Sequence, residues 1–338
     1  MTVLTIAGRV TRRMLPAVLL LGACALGGVS GAWAQSYPTR AVTLVVPYPP
    51  GGGTDITARF MAQKLAEAWG QPVVVENRSG AAATLGAGAV AKAAPDGYRI
   101  ILVTNAHAIT GALYGSLPYD AVKDFAPIGL VASYAFALAV NPELPVRTTS
   151  ELVALVKSRP SEFTYASAGV GSVGHLTMEV FKKETGLTML HVPYRGSVPA
   201  LVDVSAGRVS MIFDPLSTLL PQAQAGRLRA LAVSTGKRSL LAPDLPTVAE
   251  SSGARDFNVT NWLGLLAPAN TPPAVVNRIN AEVVKLLSTP DAQKRIQTIG
   301  YEPWVSTPAE FSELLTKEVE RYRDLIKSIG LKDPGLPE

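Results

Sequence analysis

The sequence predicts a two-lobed α/β fold with a hinged cleft, and three observations carry that prediction. Strand-like and helix-like segments alternate along nearly the whole chain, the pattern of parallel sheets covered by helices. Long apolar stretches that no single sheet would need occur twice, at 126-APIGLVASYAFALAVNP-142 and near 253-GARDFNVTNWLGLLAPAN-270. A glycine-rich loop follows a strand in each half, at 47-PYPPGGGTD-55 and 168-AGVGSVGH-175. The two apolar stretches read as transits between sheets. They divide the chain into a continuous inserted lobe, 136–257, and a discontinuous one, 36–135 plus 258–338. A chain of 338 residues is long enough for two buried cores.

The N-terminus reads differently. Arg9, Arg12 and Arg13 precede the apolar 14-MLPAVLLLGACALGG-28, and 32-AWA-34 is a small-residue cleavage pattern, so 1–34 is expected to be a secretory signal peptide. Lipid anchoring at Cys24, within 21-LGAC-24, and a twin-arginine signal at 11-TRR-13 are the alternatives. Cleavage after Ala34 would remove three Arg and no acid. It would leave 28 basic against 26 acidic residues from totals of 31 and 26. The sequence pI of 9.3 is therefore no argument for nucleic acid. The only cysteine would leave with the leader, so neither disulfides nor thiolate chemistry is expected.

Strands are expected at 41–48, 73–78, 98–104, 163–167, 188–194, 209–214 and 229–234, where β-branched and aromatic residues cluster between turn formers. Helical periodicity falls between them at 55–69, 84–93, 149–159, 172–185, 197–206 and 216–225. In the helix after the second glycine loop, Val173, Leu176, Val180 and Phe181 share a face, and Gly186 stops it. The chain ends in helices at 272–287, 291–298 and 308–328.

The two glycine loops are where chemistry is expected. Each leaves the carboxyl edge of a sheet, the ligand-binding edge of open α/β folds. Glycines let backbone N–H groups turn inward, and the next helix adds the positive end of its dipole. Thr54 or Asp55 is expected to cap the first of these helices. Two such cradles facing one cleft would hold an anion. Gly169, Gly171 and Gly174 match G-x-G-x-x-G, but the next strand, 188-TMLHVPY-194, lacks the acidic residue that would hold a ribose, so no dinucleotide is expected.

No catalytic template fits. Position 170 is Val, which breaks G-x-S-x-G around Ser172, and no G-K-[ST] follows the first glycines. His107, His175 and His191 have no metal-ligand spacing, so neither metal nor cofactor is expected. His175 and Glu179 share a helix face and read as a surface contact; His107 either lines the cleft or packs. Asp214, in 211-MIFDP-215, either receives a ligand amine or hydroxyl or caps the helix after Pro215. Arg195 either pairs with a carboxylate or stands exposed in its turn.

Four segments together resemble the Bug family, the extracytoplasmic receptors of tripartite tricarboxylate transporters: 46-VPYPPGGGTD-55, 163-FTYASAGVGSVGHLTMEVF-181, 191-HVPYRGSVPALVDVSAGRVSMIFD-214 and 245-LPTVAESSG-253. The resemblance implies a periplasmic, monomeric, type II (Venus-flytrap) binding fold with no enzymatic activity. It would close on a small carboxylate such as a dicarboxylate, an amino acid or an aromatic acid. Its partners would be the membrane subunits of a tripartite transporter, or alternatively a two-component sensor kinase. Ligand contacts carried over are Tyr48, Pro49, Gly52, Gly53, Thr54 and Asp55 in one loop, and Ala168, Gly169, Gly171, Ser172, Val173 and His175 in the other. Asp214 lies at a further motif position; Thr104 and Asn105 are further expected ligand contacts, and selectivity is expected to rest on Tyr134, Phe136, Thr104 and His107. Arg195 stands where the family often has Lys.

Overall fold

The computed structural model describes residues 37–160, 162–333 and 335. The leader and Cys24 lie outside the described residues. Val42–Val46 (β1) is a β-branched and leucine run with four of five side chains buried, as an interior strand requires. After it come α1 (Gly53–Trp69), β2 (Val73–Asn77), α2 (Thr84–Ala91), β3 (Arg99–Thr104), α3 (Ala106–Leu113) and β4 (Phe125–Tyr134). The second lobe holds β5 (Phe136–Val140), α4 (Thr149–Ser158), β6 (Thr164–Ser167), α5 (Val173–Thr185) and β7 (Leu190–Pro193). It continues with α6 (Ser197–Ser205), β8 (Met211–Pro215), α7 (Leu216–Gln224), β9 (Arg229–Val233) and α8 (Val248–Ser252). The chain then returns through β10 (Asn261–Pro268), α9 (Pro273–Leu287), α10 (Pro290–Ile299), β11 (Glu302–Pro303) and α11 (Pro308–Ser328).

The strands form two sheets, ordered β11-β4-β10-β3-β1-β2 and β7-β6-β8-β5-β9. Parallel sheets were the expectation, and both sheets are mixed. β10 runs antiparallel to β3 and β4, and β5 runs antiparallel to β8 and β9. The transits cause this. β4 passes into β5 through Ala135 alone, and a strand that arrives from the other sheet need not follow the direction of the βα units around it.

Ser234 ties the two transits together. Its N–H donates to Phe136 O at 2.8 Å, and its hydroxyl accepts from Phe136 N and donates to Val259 O. Capping boxes at Thr148/Glu151, Thr247/Glu250 and Thr307/Glu310 fix where α4, α8 and α11 begin. Trp262, Phe311 and Tyr322 centre the first lobe's core, and Tyr165, Phe181 and Phe213 centre the second's. The predicted face of α5 is shared between them. Phe181 enters its own lobe's core, whereas Leu176 joins the core of the first lobe.

Candidate functional site

In the first lobe the chain leaves β1 through Pro47–Gly52 into α1. Gly52 is the N-cap and makes no side-chain cap bond, so neither Thr54 nor Asp55 occupies the capping position expected of them. Asp55 instead braces the loop. Its Oδ2 accepts from Gly51 N at 2.9 Å and Arg59 Nε at 3.0 Å, and its Oδ1 accepts from Asn77 Nδ2 at 2.8 Å. Burial pushes this carboxyl upward in pKa, but the bonds from Arg59, Gly51 and Asn77 outweigh it and hold the group below its ordinary range. With both oxygens engaged, Asp55 shapes the loop and presents no free oxygen to a ligand. Tyr301 lies over Gly53, where any Cβ would collide with its hydroxyl.

Behind the loop stands a set of buried hydroxyls and amides. Tyr48 and Thr104 share a 2.7 Å bond, and Tyr134 donates to Asn105 Oδ1 at 3.2 Å. Asn105 Nδ2 in turn donates to Asn261 Oδ1 at 2.8 Å, which ties the end of β3 to β10. Burial raises the pKa of Tyr48, Tyr134 and Tyr301, so all three stay neutral hydroxyls. Thr104 and Asn105 therefore support Tyr48 and the first transit.

The second loop is held by rings. Gly171 N donates to His175 Nδ1 at 3.0 Å, and Ser172 caps α5 by accepting from His175 N at 3.3 Å. His175 lies on His191 with ring centres 4.0 Å apart, and His191 lies on Tyr165 at 4.8 Å. His191 Nε2 meets Ser167 Oγ at 2.7 Å, and that oxygen accepts from Gly169 N at 3.2 Å. The surface contact expected of His175 and Glu179 is not what forms: both are buried, and Glu179 bonds Tyr165 and Lys182. Burial lowers both imidazole pKa values, His191 to about 4. This leaves His175 the free Nδ1 lone pair that Gly171 needs.

The internal bonds change which backbone donors are open. Gly51, Gly169 and Gly171 spend their N–H groups on Asp55, Ser167 and His175. What remains for an anion is the first turn of each following helix, whose leading N–H groups have no intrahelical acceptor.

Both loops border one cavity of about 540 Å³. Of the expected residues it brings together Tyr48, Pro49, Ala168, Gly169, Gly171, Ser172 and Val173. It adds Ala82, Ala83, Ala106 and Leu113, so the starts of α2, α3 and α5 converge there. Gly52, Gly53, Thr54, Asp55, Thr104, Asn105, His175 and Asp214 do not line it. The lobes meet at its rim: a Cβ on Gly171, whose φ is +74°, would lie 2.5 Å from Leu113 Cδ2.

Asp214 ends β8. The N-cap of α7 is Pro215, which removes the capping alternative for Asp214. Its Oδ1 accepts from Ser197 Oγ at 2.6 Å, while the buried Oδ2 has no hydrogen-bond partner among the described residues. Burial raises its pKa to about 7. His107 packs rather than lining the cleft, bonded to Ala121 O and enclosed by Tyr119 and Phe125. Arg195 is exposed.

Sequence reasoning missed Tyr301, the ring stack through His191, and the wall at Ala81–Ala83. Those three alanines hold φ of 46°, 53° and 73° in succession. Only the preceding Ser79-Gly80 hinted at a turn, because alanine gives no signal for left-handed backbone.

Two mixed α/β sheets joined by two transits, with three helix starts facing a cavity between them, define a two-lobed solute-capture protein. The comparisons make this specific. A family model described as "Tripartite tricarboxylate transporter family receptor" matches residues 57–331, and the chain belongs to that family of periplasmic solute-binding receptors. It is 34% identical to Protein BugT of Bordetella pertussis (strain Tohama I) over 301 residues, covering 88% of this chain and 92% of BugT. Among solved structures it resembles R. palustris Rpa4515 with adipate, at 37% identity and TM-score 0.74, covering 87% of this chain and 98% of that one. It also resembles MatC (Rpa3494) from Rhodopseudomonas palustris with bound malate, at 32% identity and TM-score 0.70, covering 86% and 100%.

Proposed function

We propose that the protein captures a small carboxylate between its lobes and delivers it to the membrane subunits of a tripartite transporter. The observation that carries this is the cavity itself. Three helix starts converge on a space whose lining includes no charged side chain, so the anion's partners would be backbone N–H groups and hydroxyls. The relatives with adipate and malate support the same class of ligand.

On this reading the chain acts as a monomer in the periplasm, and segments 36–135 plus 258–338 close on 136–257 about the Ser234 tie. Tyr48 and Pro49 would meet the ligand from one side and Ala168 to Val173 from the other, with Gly53 and Thr54 joining them only if closure carries the start of α1 to the cavity. Asp55 and His175 would act through the loops they brace. Asp214 would face the ligand only if closure carries it to the cavity.

The test is a thermal-shift screen of residues 36–338, refolded from denaturant to strip any trapped ligand. The panel is hexanoate, benzoate, adipate, malate, citrate and glutamate. A ligand that binds only the folded form adds about 2.7 kcal/mol at roughly a hundredfold excess over Kd. The expected result is a shift of several degrees with at least one acid. No shift with any of them, from protein shown by native mass spectrometry to be empty, would overturn the proposal.

A further inference from the structure

Three consecutive residues of the first lobe, Gly300, Tyr301 and Glu302, reach both lobes. Gly300 ends α10 in left-handed backbone at φ +96°, which turns the chain out of the helix towards β11. Side chains then alternate in direction as the chain enters the strand. Tyr301 turns back to its own lobe, over Gly53 at the start of α1 and 5.2 Å from the Tyr134 ring. Gly300 and Glu302 meet the second lobe. A Cβ on Gly300 would lie 2.5 Å from Ser217 Cβ, at the start of α7. Glu302 Oε1 accepts from Ser239 Oγ and, at 3.0 Å, from Leu240 N, both in the loop after β9.

Both halves of this contact are fixed in their own lobes. Glu302 pairs with Ser133 in the first sheet, and Tyr301 N donates to Ile296 O at 3.1 Å. Ser239 is buried, and its oxygen accepts from Leu241 N at 3.2 Å while its proton goes to Glu302. The contact is also polar and bordered by space. Lys237, Ser239, Glu302 and Trp304 help line a cavity of about 580 Å³ that spans both lobes beside the transits. The lobes therefore meet here through hydrogen bonds and not through a packed core, so they part at this point without exposing one. No residue of the turn lines the cavity between the glycine loops. Its effect on a ligand there can act only through the position of the lobes.

We propose that Gly300–Glu302 is a closure latch. Glu302 is a positioning residue that holds the second lobe in the arrangement that encloses the ligand, and Tyr301 passes that position to the start of α1. The inference rests on the receptor reading above and adds what sets the lobe angle. A ligand held between lobes binds only as well as the competent arrangement is populated. Loss of two hydrogen bonds to the latch carboxylate therefore weakens binding by about tenfold, although Glu302 touches no ligand.

The experiment reads lobe position and binding separately. Residues 36–338 contain no cysteine, so Ser158→Cys and Lys285→Cys, both at exposed positions, place one spin label on each lobe. Electron–electron dipolar spectroscopy then gives the distance between the labels. Without added acid, Glu302→Ala is expected to move about half of the population away from the distance of the latched arrangement. Glu302→Gln, which keeps the acceptor oxygen, is expected to leave that distance in place. In calorimetric titration with adipate and malate, Glu302→Ala is expected to bind about tenfold more weakly than the natural protein, and Glu302→Gln within about twofold of it. Adding Ser239→Ala to Glu302→Ala is expected to cost nothing further, because both remove one contact. Label distances unchanged by Glu302→Ala overturn the latch, whatever the acids do. A moved distance with adipate and malate bound as tightly as before also overturns it, since the latched arrangement is then not the one that holds ligand. If the natural protein binds neither acid, the distances alone decide the latch, and it is the receptor reading that the titration contradicts.

Discussion

The two glycine loops share a plan and differ in what holds them. In the first lobe a carboxylate does the bracing: Asp55 gathers Gly51 N, Arg59 and Asn77 within 3.0 Å. In the second lobe neutral rings do it, with His175 accepting from Gly171 N and stacked 4.0 Å from His191. The carboxylate is held below its ordinary pKa and stays charged into acid. The histidines brace only while unprotonated. One side of the cleft should therefore be indifferent to mild acid and the other sensitive to it.

The largest effect expected from breaking this contrast comes from pH. Unfolded histidine takes up a proton near pH 6.5, whereas folded His191 resists to about 4. The folded pKa is the lower one, so stability falls as pH falls through that window. His107 behaves the same way in the first lobe's core. For buried His107 the loss reaches about 3 kcal/mol by pH 4, and for half-exposed His191 solvent screening makes it smaller. Urea denaturation at stepped pH should show this decline. His191→Gln should make it shallower, leaving the part that His107 and His175 contribute, and Asp55→Asn should leave its slope unchanged between pH 6.5 and 4.

Asp214, the second lobe's buried carboxyl, titrates in the opposite sense. Its folded pKa of about 7 exceeds the ordinary 3.8, so its favourable contribution is full below pH 3.8 and is lost as pH rises through 7. Asp214→Asn should therefore stabilise the ligand-free protein at pH 8 by about 2 kcal/mol, short of the ~4 that three pKa units would give, because the new amide also lacks a partner. At pH 5 the gain should vanish. Equal gains at both pH values would show that the carboxyl is not ionising.

Removing the first lobe's brace, Asp55→Ala, strips three hydrogen bonds from one buried group and should cost about 2 kcal/mol at any pH from 5 to 8. A pH-dependent cost would erase the contrast between the loops. Gly171→Ala forces a side chain into left-handed backbone against Leu113, at about 1–2 kcal/mol of strain, and should weaken carboxylate binding more than it lowers stability. The smallest effect belongs to the strained wall. Ala82→Gly, at φ 53°, should stabilise by about 0.5–1 kcal/mol, measured as a small rise in Tm.

Much of this fold was legible in the sequence. All seven named strands form, because runs such as 98-YRIILVT-104 have no other stable use for their apolar side chains. Both transits and both glycine loops could be read from apolar runs and Gly/Pro punctuation. Strand direction could not be, since β4 and β10 look alike whether they run parallel or antiparallel. α3 was missed because its eight residues follow Thr104-Asn105 directly and are too few to establish a helical period. The bracing of the loops was also hidden. Asp55 to Asn77, His175 to His191 and Gly53 to Tyr301 join separate elements, and pairings of that kind arise only once the sheets have stacked their neighbours.

The central claim is that one carboxylate sits between the two loops with its oxygens at the helix starts. The most direct measurement is a crystal structure of the refolded protein with whichever acid gives the largest thermal shift. The account predicts the carboxylate in the cavity bordered by Tyr48, Pro49 and Ala168–Val173, with at least one oxygen within hydrogen-bond distance of a first-turn N–H. Binding elsewhere on the chain, or in this cavity with the carboxylate turned out to solvent, would contradict it.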